Sequence, residues 1–270
     1  LVLMSSGIDV NAQNLSGKTA LHEAARTGKT AMVTLLLDNG ANINSTDATG
    51  KTVLIDSIHS GNIELVKMLL TKGASPQIQE MYGRNAYHEA AESGNIELIS
   101  LIRTAGGNPL SRDTHGRTPF SLVLNKSDET IKAVLGNDIN LSDSDGNTPI
   151  HIAVQNKVSS DKIFMLVSMN YPLNRRNSLG LTPLTLAVKN NQNDLAKTLI
   201  ECGADPFVTD NSGECAVSFA ISDNAEVLNY IVQTTGNKKD MTGEGILHYA
   251  ARTGDLATIK KLLSMGLDRT

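Results

Sequence analysis

His88-Glu-Ala-Ala-Glu92 opens like a zinc-binding helix, in which two histidines one turn apart hold the metal and the glutamate beside the first acts as base. The second histidine is missing, because Glu92 stands in its place. His22-Glu-Ala-Ala-Arg26 fails in the same way. A phosphate-binding loop needs a glycine five residues before Gly-Lys-Thr, so that backbone N–H groups can surround the phosphates. Gly17-Lys-Thr19 has Ala12 there, Gly50-Lys-Thr52 has Ser45 and Gly28-Lys-Thr30 has Glu23. No pairing of nucleophile with base survives either. The expectation is no catalytic residue, no metal, no cofactor and no enzyme.

The same residues make sense as marks of repetition. Thr19-Ala-Leu-His-Glu-Ala-Ala-Arg-Thr-Gly28 returns near the other end as Gly245-Ile-Leu-His-Tyr-Ala-Ala-Arg-Thr-Gly254. With its first residue as marker, the series runs Thr19, Thr52, Asn85, Thr118, Thr148, Thr182, Cys215 and Gly245. The intervals of 30 to 34 residues signal a repeat array. The expected repeats are 14–46, 47–79, 80–112, 113–142, 143–176, 177–209, 210–239 and 240–270, in one continuous array over 1–270. Residues 1–13 read as the end of a truncated repeat, and the chain as a fragment of a longer protein.

Each repeat must hold its chemistry on a pair of helices. Asp47-Ala-Thr-Gly50 has the acid first and the glycine fourth, as a tight turn requires. Thr-Pro follows at 118–119, 148–149 and 182–183, where threonine can cap free N–H groups and proline gives up a donor that has no helical partner. In the first repeat Leu21, Ala24 and Ala25 form the buried face of a first helix that Gly28 ends. A second helix is expected to turn Met32, Val33, Leu36 and Leu37 inward, and its copies to do so with Ile63, Val66, Leu69 and Leu70, then Ile96, Ile99 and Ile102. The last helix offers Leu256, Ile259, Leu262 and Leu263. Irregular helix pairs are expected in the fourth and seventh repeats, three residues short and without the glycine between helices, and in the fifth, where Asn170 replaces a glycine. Val123 and Leu124, in place of the alanine pair, are expected to push their neighbours apart.

Turn, helix, loop, helix and glycine in about 33 residues resembles the ankyrin repeat. The residues that carry the resemblance include Thr148-Pro-Ile-His151, Thr182-Pro-Leu-Thr185, His22-Glu-Ala-Ala25, Gly40-Ala-Asn-Ile-Asn44 and Gly203-Ala-Asp-Pro206. It implies an all-α, right-handed, curved solenoid of helix-turn-helix units with short hairpin-like tips. It also implies that His22, His88, His151 and His248 hydrogen-bond near helix starts, and that tips and first helices form a concave groove gripping a partner.

Composition narrows the partner. Apolar residues make up 40 % of the 270 and aromatic residues 3 %, so the core must be aliphatic. The net charge of -4 comes without a basic tail, which argues against nucleic acid and anionic membranes, and no apolar run is long enough to span a bilayer. Two cysteines, Cys202 at a helix end and Cys215 at a marker position, cannot make a disulfide framework. A cytoplasmic monomer that binds a protein through the groove and tips is expected. The alternatives are a regulatory or targeting segment of a larger enzyme or channel, and a secreted effector that binds host proteins.

The residue after each tip glycine forms a ladder: Lys18, Lys51, Arg84 and Arg117, then Asn147, Leu181, Glu214 and Glu244. Glu23, Asp56 and Glu89 are placed to neutralise the first three cations. Apolar tip residues Leu15, Met81, Tyr82, Leu179 and Met241 are candidate anchors. The candidate partner-binding set is therefore Met81, Tyr82, Arg84, His115, Arg117, Lys51 and Lys18.

Overall fold

The computed structural model describes residues 8–267, so residues 1–7 of the expected truncated repeat lie outside the described part. The described residues form sixteen helices and no sheet, which is the expected all-α architecture. Two isolated bridges, Thr46 with Thr52 and Lys239 with Gly245, mark hairpin-like tips. The chain divides into two compact units, 1–136 and 137–270.

In the first unit the pairs are α1 (Ala20–Arg26) and α2 (Thr30–Asp38), α3 (Val53–Ser60) and α4 (Ile63–Thr71), α5 (Ala86–Ser93) and α6 (Ile96–Thr104), and α7 (Pro119–Leu122) and α8 (Asp128–Leu135). First helices stack on one another in the order α1, α3, α5, α7, and α4, α6 and α8 form the second layer. Leu21, Ala24 and Ala25 are buried as expected. Tyr87, fully buried on α5, donates its hydroxyl proton to the Val134 carbonyl at 2.6 Å and so ties the third repeat to the end of α8.

In the second unit the pairs are α9 (Pro149–Gln155) and α10 (Ser160–Ser168), α11 (Pro183–Lys189) and α12 (Asn193–Glu201), α13 (Ala216–Asp223) and α14 (Ala225–Thr235), and α15 (Ile246–Thr253) and α16 (Leu256–Ser264). First helices again stack in sequence, with α10, α12 and α14 behind them.

The second helices correct one expectation. Val33, Leu36, Val66, Leu69, Ile99, Ile102 and Leu262 are buried, but Met32, Ile96 and Leu256 are exposed, and Leu37, Ile63, Leu70, Ile259 and Leu263 are only half-buried. Leu65 and Leu98 take inward places instead. Each residue turns about 100° around an α-helix, so an i, i+3 series drifts about 60° per step. Over three such residues the first rotates off the buried face.

The three irregular repeats also differ from one another. In the fourth, the shortened chain leaves α7 with four residues, and Val123 and Leu124 are buried in the connection to α8. In the seventh, Asn224 is the single residue between α13 and α14 and caps the latter by accepting from the Val227 N–H at 3.1 Å. The fifth is regular, contrary to expectation: α9 and α10 have seven and nine residues. Asn170 supplies the left-handed turn at φ 65°, a conformation asparagine tolerates better than most residues.

Candidate partner-binding surface

A tip is built from backbone groups held by one acceptor side chain. Asn14, Asp47, Glu80 and Asp113 each accept from the N–H groups two and four residues later, at 2.8–3.0 Å. In the first unit adjacent tips are also joined to each other. Ala48 N–H donates to the Ser16 carbonyl at 3.0 Å, Met81 N–H to Thr49 at 2.8 Å and Thr114 N–H to Tyr82 at 2.9 Å. Met81 and Tyr82 therefore stand on a segment tied on both sides, the two residues being 60 % and 54 % exposed. Leu15 and His115 are exposed on flanking tips.

Gly83 permits that closeness. Its φ is +75°, and a Cβ there would lie 3.0 Å from the Thr114 nitrogen and 3.1 Å from Asp113 Cα. Gly83→Ala is expected to lower unfolding free energy by about 1–2 kcal/mol and speed amide exchange at Thr114, because both backbone strain and contact oppose it. Unchanged exchange at Thr114 would show that the tips are not coupled there.

The histidines fix the ladder from behind. His88 and His151 are buried; the His151 Nδ1 accepts the Thr148 N–H at 3.2 Å, and the His88 Nδ1 lies 3.2 Å from the Asn85 nitrogen and 2.8 Å from the Asn85 Oδ1. Each Nε2 then donates to the carbonyl of the ladder residue one repeat on, Arg117 at 3.3 Å and Leu181 at 2.9 Å. His22 makes the same pair of bonds, to Thr19 and Lys51. Both ring nitrogens are used, as hydrogen-bonded structural groups use them. Burial holds His88 and His151 below the ordinary imidazole value of 6.5. His248 departs from this pattern: it is exposed, and its described bond is from Gly245 N–H at 3.2 Å. Among the described residues no three His, Cys, Asp or Glu side chains gather around a position that could hold a metal ion.

Three of the four cations of the ladder are engaged. Arg84, with only 14 % of its side chain exposed, donates to Glu89 at 2.8 Å and also pairs with Glu92. Lys51 Nζ lies 3.7 Å from Asp56 and 3.0 Å from His59 Nδ1, and His59 Nε2 lies 2.7 Å from Glu89. Arg117 pairs with Asp113 at 2.8 Å, leaving its side chain about half exposed. Lys18 is half-buried, and Glu23, expected to neutralise it, pairs with Arg26 at 2.9 Å instead. Sequence reasoning missed His59 and Glu92. The signal was available, because Arg26, His59 and Glu92 are spaced by 33 residues, as are Glu23, Asp56 and Glu89.

In the second unit two of the four ladder residues leave the surface. Asn147 and Leu181 are buried, with the Asn147 amide donating to Asp143 at 3.2 Å and accepting from Asn177 at 2.9 Å. Glu214 is exposed and Glu244 half-buried, while Leu179 and Met241 are exposed on their tips.

A family model for ankyrin repeats (3 copies) matches residues 1–80, 120–210 and 184–270, which is well over half of the chain. Rabankyrin-5 of Mus musculus is 31 % identical over 148 residues, covering 52 % of this chain and 13 % of the relative. The B-cell lymphoma 3 protein homolog of Mus musculus is 32 % identical over 139 residues, covering 47 % of this chain and 30 % of the relative. NF-kappa-B inhibitor alpha of Sus scrofa is 30 % identical over 140 residues, covering 46 % and 43 %. The chain thus spans less than half the length of each of these relatives. Among solved structures, the ankyrin repeat domain of Bcl-3 matches with a TM-score of 0.65 at 23 % identity, over 80 % of this chain and 99 % of that one, a likeness of fold. Ankyrin repeats are protein-interaction modules. Period, helix pairs and family model agree, and the chain belongs to the ankyrin repeat family.

Proposed function

We propose that this chain is a non-enzymatic recognition module that binds a partner protein through its tips and the exposed side of its first helices. The observation that carries this is the placement of Met81 and Tyr82: two large exposed side chains on a tip whose backbone is hydrogen-bonded to both neighbouring tips. Anchors held in place before binding lose little entropy on association. Aromatic anchors account for much of the affinity at interfaces, and His115 and Arg117 supply a polar rim beside them. Lys18, Lys51 and Arg84 act mainly by shaping the surface, since Arg84 and Lys51 already face carboxylates. NF-kappa-B inhibitor alpha is named for its action on another protein, and a protein partner is the class taken here for this chain. Among the described residues no helix is long and apolar enough to cross a membrane. The reading carries a monomer acting in the cytoplasm, with neither nucleic acid nor membrane as its target.

Capture of partners from the source cells, followed by Kd measurement on the captured protein, tests the reading. Met81→Ala/Tyr82→Ala is expected to weaken binding at least about tenfold, since anchors of this kind contribute roughly 2 kcal/mol or more. Arg84 is left in place because its guanidinium holds Glu89 and Glu92. A folded double variant that binds as tightly as the parent would remove the tip from the interface.

A further inference from the structure

A cleft of about 370 Å³ opens between α13 and α15, with Glu214, Ser218, Phe219, Ser222, Asp223 and Arg252 in its walls. Its hydroxyls and its unpaired charges share one sign of chemistry. Ser218 Oγ donates to the Cys215 carbonyl at 2.9 Å, and Ser222 Oγ to the Ser218 carbonyl at 3.2 Å. Thr253, which also lines the cleft, donates to the Ala250 carbonyl at 2.7 Å. Each hydroxyl proton is used on its own helix or that helix's cap, and the Ser218 Oγ also accepts from the Cys215 N–H at 2.8 Å, so these oxygens have no proton left and only remaining lone pairs to offer a ligand. The exposed carboxylates of Glu214 and Asp223 have no ion-pair or hydrogen-bond partner among the described residues. The cation in the wall, Arg252, is paired with Glu244 and stacks 5.1 Å from the Tyr249 ring centre. Lys189 Nζ lies 4.5 Å from the centre of Phe219, so the aromatic faces of this surface already accept cations.

We propose that this cleft takes a lysine or arginine side chain of a partner protein, its positive charge neutralised by Glu214 and Asp223. The inference rests on the protein-recognition reading above and adds the chemistry of one partner group. A cavity whose walls accept hydrogen bonds and whose unpaired charges are negative matches an ammonium or guanidinium, which only donate. An anionic side chain would meet repulsion from Glu214 and Asp223, while the Arg252 guanidinium in the wall is already paired with Glu244.

The test is a titration of the full chain with the peptide Ac-Gly-Gly-Arg-Gly-Gly-amide, followed by amide chemical shifts. The control peptide carries citrulline, which keeps the shape of arginine without its charge. The arginine peptide is expected to move the Ser222, Asp223 and Thr253 amides, and the citrulline peptide to leave them in place. Glu214→Gln/Asp223→Asn changes two exposed side chains, so the folded spectrum is expected to persist while affinity falls about tenfold. Equal response to citrulline, undiminished affinity in the double variant, or no response at these amides each overturns the proposal. Partner capture that still depends on Met81 and Tyr82 would then leave the recognition module standing and remove only this site.

Discussion

Replacing His151 by alanine lowers the unfolding free energy by about 3 kcal/mol, whereas the same change at His248 costs less than about 1 kcal/mol. The two histidines share a repeat position, so the difference comes from their surroundings. His151 is fully buried, takes the Thr148 N–H on Nδ1 and gives its Nε2 proton to the Leu181 carbonyl. Alanine leaves both buried backbone groups without a partner, each costing about 1–3 kcal/mol, and opens a cavity. His248 is exposed, so water can replace its bond to Gly245. Urea unfolding of both variants measures the contrast. Equal losses would mean that the repeat-to-repeat bond to Leu181 contributes nothing.

The same bonds give the stack a pH dependence of definite sign. Burial holds the imidazoles of His88 and His151 below their ordinary value of 6.5 in the folded chain. Once pH falls below about 6.5 the unfolded chain binds protons that the folded chain refuses, so stability decreases with acidification and is fully restored above that value. A protonated Nδ1 also cannot accept the Thr148 N–H. The melting temperature is therefore expected to fall between pH 7.5 and 5.5, and His151→Ala to fall less over the same interval.

Much of the fold was legible because repetition multiplies a weak signal. The threonine markers at 118, 148 and 182 begin α7, α9 and α11, and the left-handed Gly61, Gly94 and Gly254 close α3, α5 and α15. The inward face of the second helices was misjudged because apolar residues also stand at Met32 and Ile96, and composition does not tell the rotated edge of a stripe from its centre. Asn170 shows the reverse: a substitution read as a defect that the backbone accommodates at φ 65°. The tip-to-tip bonds from Met81 N–H and Thr114 N–H join backbone groups that every residue possesses, so no residue type announces them. The ladder was visible one column at a time, but charge pairing depends on adjacent columns. Glu23 could pair with Lys18 or Arg26, and the i, i+3 geometry on α1 decided for Arg26.

Glu89→Gln is expected to cost about 2 kcal/mol, the second large effect, because one half-buried carboxylate serves two partners. Its side chain is 17 % exposed, and it accepts from Arg84 at 2.8 Å and lies 2.7 Å from His59 Nε2. Burial alone would raise its pKa; the His59 and Arg84 bonds more than reverse this and hold it at about 2. The stability it contributes is thus present above about 4.5 and is lost as pH falls from there toward 2, below the histidine window. Glutamine keeps the shape but not the charge, so the parent's loss in that lower window is expected to shrink in the variant. The variant also separates two views of the surface. If the ladder cations grip the partner, loosening Arg84 from Glu89 changes Kd toward tighter binding of an acidic partner. If Met81 and Tyr82 are the anchors, Kd is unchanged while stability falls, because Arg84 still pairs with Glu92 and the tip keeps its backbone bonds to Thr49 and Thr114.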